Sequence, residues 1–147
     1  MSYELALIEV VDFAASCGSF GSNSTDHKGA NVLTFVLSAK PGSADGITTG
    51  TYTVVESTPD PADDPGHLAM VSFGTTGSDC SLPSDDGSNV GVSGTVHLDT
   101  VSATGLQGTF DVQVAVSPES GHSEHLTGRF DSTTCASLLA EQAPTCS

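Results

Sequence analysis

Leu106-Gln107-Gly108-Thr109-Phe110-Asp111 and Leu126-Thr127-Gly128-Arg129-Phe130-Asp131 spell one word twice, 20 residues apart. Its odd and even places differ in kind, so it reads as a strand with one apolar and one polar face. The first copy extends: Leu106, Gly108, Phe110, Val112, Val114 and Val116 alternate with Gln107, Thr109, Asp111 and Gln113. In the second, Leu126, Gly128 and Phe130 alternate with Thr127, Arg129 and Asp131. Upstream, Val92-Ser93-Gly94-Thr95-Val96 aligns with both copies. It lies in a run whose faces are Val90, Val92, Gly94, Val96, Leu98 and Gly91, Ser93, Thr95, His97, Asp99. Three half-buried antiparallel strands follow, a meander with an inward glycine at one level in each. Glycine weakens a strand unless the sheet bends or a bulky group packs across it.

Working outward, the N-terminal half is also β in character. Residues 3–15 are apolar on both faces, with Leu5, Leu7, Val11 and Phe13 opposite Ala6, Ile8 and Val10, which suits a central strand. Asn31–Ala39, Thr51–Val55 and Leu68–Phe73 read as further strands. Turn-forming stretches separate them at 18–29, 41–50, 57–66 and 77–89. About seven strands without a helical interval predict an all-β domain, an antiparallel sandwich or an up-and-down barrel. One domain covers residues 1–147, and 136–147 form a short tail. The single helical candidate is Thr133–Gln142.

The chain carries 18 acids against 3 bases, a net charge of −15, and no Trp. Lys28, Lys40 and Arg129 are too few and too scattered for nucleic acid or an anionic membrane. No apolar run approaches the ~20 residues of a membrane helix. The partner is expected to be a protein, a glycan or a small ligand.

Cys17, Cys80, Cys135 and Cys146 form no C-x-x-C. In a Lys-poor, Thr-rich β chain they predict two disulfides and a secreted, periplasmic or cell-surface location. If strands simply alternate up and down, Cys17 and Cys135 meet at one pole and Cys80 joins Cys146. Crossing connections would leave Cys17–Cys80 and Cys80–Cys135 open. Tyr3–Leu7 lack a basic n-region and a cleavage motif, which fits either a cytosolic chain or the mature part of a longer one with an added Met, and the cysteines favour the second.

A larger order is visible: DFAASC, GTYTV, GSDC, a Ser-Gly-Thr-Val strand, LQGTFDV and finally LTGRFDSTTC. From Val10 to Cys135 this resembles a group of exported, often lipid-anchored, β-rich proteins of myxobacteria and their relatives. Those close with G-T-F-D and then L-T-G-x-F-D-x-x-x-C. The resemblance implies location and fold class, and brings no activity. Cys146 and the tail from Ala136 lie outside it, and no lipobox stands in this sequence.

Candidate chemistry is sparse. His122-Ser123-Glu124-His125, at the turn before the last strand, offers two imidazoles and a carboxylate for Zn or Cu. Asp60, Asp63 and Asp64, and Asp79, Asp85 and Asp86, sit in loops rich in oxygen ligands. Weak calcium is the one cofactor they suggest, although neither has D-x-D-x-D-G spacing. No G-x-S-x-G, Asp-Thr-Gly or phosphate-cradling motif occurs. The expectation is a non-enzymatic β-domain with a structural or binding role. The alternatives are a small-ligand carrier with a lipocalin-like cavity, roomy at Gly94, Gly108 and Gly128, and a calcium-binding adhesion module.

Overall fold

A computed structural model describes residues 5–12, 20–21, 24–39, 46–57, 59, 66–82, 90–117, 121–133 and 146. Nine strands follow in order: β1 (Leu5–Val11), β2 (Phe20–Gly21), β3 (Ser24–Thr25), β4 (Asn31–Ala39), β5 (Gly50–Val54), β6 (His67–Thr75), β7 (Gly91–Ser102), β8 (Gly105–Ser117) and β9 (His122–Thr133). Among the described residues strands β2 and β3 pair only with each other, inside a stretch that reads as turn in the sequence. The other seven make one sheet in the order β1-β4-β6-β5-β7-β8-β9, nearly closed into a barrel. No described residue is helical. Of the helical candidate, Thr133 is the last residue of β9 and the rest lies outside the described residues.

All neighbours are antiparallel except β5 and β6, which run parallel. That pair breaks strict up-and-down order, because its crossover returns the chain to the same end. One end of the barrel therefore carries the starts of β1, β5, β6 and β8 and the ends of β4, β7 and β9. The ends of β1 and β9 thus lie at opposite poles, which overturns the parity argument for the cysteines. The bond it favoured for Cys80 is nonetheless present: Cys80 is disulfide-bonded to Cys146, with Cα atoms 5.5 Å apart. This excludes Cys17–Cys80 and Cys80–Cys135. Cys17 and Cys135 lie outside the described residues.

The meander of β7, β8 and β9 follows the alternation except at three register shifts, Gly91/Ser93, Leu98/Thr100 and Ala115/Ser117. A bulge between Gly91 and Ser93 makes Val92 the extra residue and shifts the phase. Gly91 is therefore buried, not outward, and a Cβ there would lie 2.7 Å from Val71 Cβ. The glycines of the repeated word are also not level with each other. Antiparallel pairing sets Gly108 opposite Phe130 and Phe110 opposite Gly128. Each phenylalanine ring folds over the glycine of the other copy: a Cβ on Gly128 would stand 2.6 Å from Phe110 Cζ, and one on Gly108 2.9 Å from Phe130 Cζ. These are the bulky groups that inward glycines call for.

Phe35 of β4 packs on both rings, with centroids 5.2 Å from Phe110 and 6.0 Å from Phe130. Ile8, Leu37, Val54, Ala69, Val96, Leu98, Val112 and Val114 complete the core around them. Tyr52 is fully buried; its hydroxyl donates to Thr48 O (2.9 Å) and accepts from Thr48 N (3.0 Å). A buried phenol is stable only with its polar tip so paired.

Strand β1 is not central. Among the described residues it pairs with β4 alone and ends the sheet. Its inner face is Ala6, Ile8 and Val10, whereas Leu5 and Leu7 are 60% and 50% exposed. Its two apolar faces therefore do not reflect burial between two neighbours.

Candidate functional site

The long strands present their polar side chains outward, and the register aligns them into two rows. One row runs Thr51, His97, Thr109, Arg129 across β5, β7, β8 and β9. The next runs Thr53, Thr95, Asp111, Thr127. Short β-branched hydroxyls suit such positions, since they pack across strands and still offer a donor and an acceptor.

The polar and charged groups pair both within and between strands. Thr51 Oγ1 lies 2.9 Å from His97 Nδ1. His97 Nε2 is 3.6 Å from Asp99 Oδ1, and Arg129 Nη2 is 3.8 Å from Asp99 Oδ2. His125 Nε2 is 2.6 Å from Asp111 Oδ1. Gln107 donates to Asp131 at 3.1 Å. Arg129, which in the sequence flanks Asp131, thus reaches over Thr109 to Asp99 instead. Three acids, one guanidinium and two imidazoles make this a mixed surface on a strongly acidic chain.

Thr51, His97 and Asp99 carry the residue types of a nucleophile, base and carboxylate. Their geometry does not make a relay: at 3.6 Å the carboxylate is beyond hydrogen-bonding reach of the ring. The imidazole stands on an open face, 47% exposed, with no wall to exclude water. The arrangement is suited to recognition by donors and acceptors.

The two imidazoles singled out in the sequence separate. His122 opens β9, and His125 stands three residues on in the same strand, so the two point to opposite faces. Among the described residues no group of three or more His, Cys, Asp or Glu is placed to hold a metal. Asp60, Asp63, Asp64, Asp85 and Asp86 lie outside the described residues. Asp79 lies in the turn after β6, where its carboxylate accepts from Ser81 N (3.1 Å) and Ser81 Oγ (2.7 Å). The Ser81 side-chain and backbone hydrogen bonds hold its pKa below the ordinary carboxylate value.

Thr95, Thr109 and Thr127 were legible as outward places in S-G-T, G-T-F and L-T-G, whereas no face was assigned to Thr51 and Thr53 from the sequence. The alignment of the rows was not legible, because it depends on register across four strands. Comparison with protein-family models, curated proteins and solved structures gives no match.

Proposed function

We propose that this chain is a non-enzymatic, exported β-barrel module that binds a protein or glycan partner through the outer face of β5, β7, β8 and β9. The observation that carries this is the pair of aligned, exposed rows of hydroxyl, imidazole, carboxylate and guanidinium groups. They stand on a barrel whose inward positions are taken up by its own side chains. Phe110 and Phe130 occupy the space that Gly128 and Gly108 would leave for a small ligand, so the carrier reading is not taken further. The Cys80–Cys146 disulfide is compatible with an oxidising compartment and supports export. The resemblance to exported β-rich proteins supports the same location.

Cell-envelope material isolated from the source cells is the probe. The wild-type chain is expected to sediment with it. Thr109→Arg, which sets a long cation at the centre of the face, should reduce retention at least tenfold. Met70→Arg, on the outer side of β6 and outside the two rows, should leave retention unchanged. Equal retention of Thr109→Arg and wild type would overturn the reading.

A further inference from the structure

The sheet ends at β9, and that edge is open. Among the described residues β9 is hydrogen-bonded to β8 alone. Thr127, Gly128 and Arg129 are exposed in succession. Gly128 faces inward, toward the Phe110 ring, and has no side chain to reach solvent. Its exposure therefore means that the main chain itself meets water near the middle of the strand. Unpaired N–H and C=O groups along such an edge are a template for another strand.

The residues of β9 decide which strand fits. An antiparallel copy of β9 must keep inward residues inward, so it can shift only in steps of two. One such register centres on Gly128, and two-fold symmetry makes every contact in it occur twice. On the inner side it sets Leu126 beside the partner's Phe130. On the outer side it sets Thr127 beside the partner's Arg129 and His125 beside the partner's Asp131. Leu126, only partly buried in one chain, gains an aromatic neighbour, and each ionisable group meets an opposite or neutral one. A slip of two residues one way puts Arg129 against the partner's Arg129. The other way puts Arg129 against the partner's His125 and Phe130 against the partner's Glu124. The chain's own β1 is a poorer match, because its outward Leu5 and Leu7 would lie against these hydroxyl and charged groups.

We propose that the chain forms a two-fold dimer by antiparallel pairing of β9 with β9 of a second copy, in the register centred on Gly128. One sheet then runs through both barrels, and the outer rows lengthen. Arg129 ends one row and Thr127 ends the other. Set opposite each other across the two-fold axis, they join Thr51, His97, Thr109 and Arg129 of one copy to a row of the second copy that begins at the partner's Thr127. Each row doubles in length without a break. The pairing is argued from β9 alone and stands whatever the outer face binds.

Sedimentation equilibrium of the full chain tests it. Two copies with a net charge of −15 each repel, so the experiment uses about 150 mM NaCl, where charges more than ~8 Å apart are largely screened. From about 5 to 500 μM the mass should rise from 14.8 kDa toward twice that value. Thr127→Asp sets a carboxylate beside the partner's Arg129 and should tighten the dimer about tenfold. Thr127→Arg sets guanidinium against guanidinium and should weaken it about tenfold. Within one chain Thr127 lies opposite Asp111, so effects on folding alone run the other way, with Asp the destabilising change. In hydrogen exchange, peptides of β9 should gain protection as concentration rises, and peptides of β1 should not. A monomer throughout the range would overturn the proposal. So would a dimer that does not distinguish the two Thr127 variants, or one that protects β1 instead of β9, because another surface would then join the copies.

Discussion

Two glycines explain much of the meander's geometry. Gly128 holds open the site of the Phe110 ring, and Gly108 that of Phe130. Gly128→Ala sets a methyl group into the Phe110 ring and should cost about 1–3 kcal/mol in urea unfolding. Because the obstacle is a side chain, Phe110→Leu in the same chain should recover part of that loss, giving a non-additive double-mutant cycle. At Gly108 a Cβ would also strike the His97 carbonyl oxygen, so no side-chain change would relieve it. Strict additivity of the Gly128 and Phe110 changes would show that the ring does not need the vacancy. At this scale the sequence was informative. An inward glycine repeated in a strand word called for a bulky neighbour, but which residue filled it depended on antiparallel register.

Among the elements, β1 shows where alternation misleads. A run apolar on both faces suggests a strand between two neighbours, but Leu5 and Leu7 turn outward at the end of the sheet. Between them and Val11 stands Glu9, level with Thr34 of β4, which is itself level with Ser72 of β6. Among the described residues its buried Oε2 has no hydrogen-bond partner, and burial raises its pKa above the ordinary value of 4.5. The folded state therefore binds this proton more tightly than the unfolded chain does. Its effect on stability is absent at low pH, grows as pH rises from 4.5 through the raised pKa, and is full above that. Glu9→Gln should raise Tm by about 2–4 °C at pH 7, for roughly 1 kcal/mol. The gain should vanish as pH falls toward 4. An equal gain at both pH values would remove the charge from the explanation. The bulge at Val92 was hidden for a related reason: Gly91 and Val92 can each sit inside or outside, so neither phase looked wrong.

The molecule as a whole carries a net charge of −15, and like charges oppose compactness. Raising NaCl from 10 to 500 mM screens that repulsion and should raise Tm by about 5 °C. A flat or falling Tm would mean that ion pairs such as Arg129–Asp99 outweigh the general repulsion. The class of fold was readable from period-two patterning alone. The parallel β5–β6 pair was not, since nothing local in T-Y-T-V-V distinguishes a crossover from a hairpin. The outer face proposed for binding was half visible for the same reason, with its residue types plain and their alignment hidden.

The reciprocal packing of glycine and phenylalanine acts on the frame in which β8 and β9 are read. Alternation forbids a slip of one residue, because that would turn the apolar side to water. It is blind to a slip of two, which leaves inside and outside as they were. One such slip would set Phe110 against Phe130, two rings contending for one site. The other would set Gly108 against Gly128 and leave a void. Only the observed frame gives each ring its vacancy, so the duplicated word guards against the even-numbered errors that hydrophobic patterning lets through.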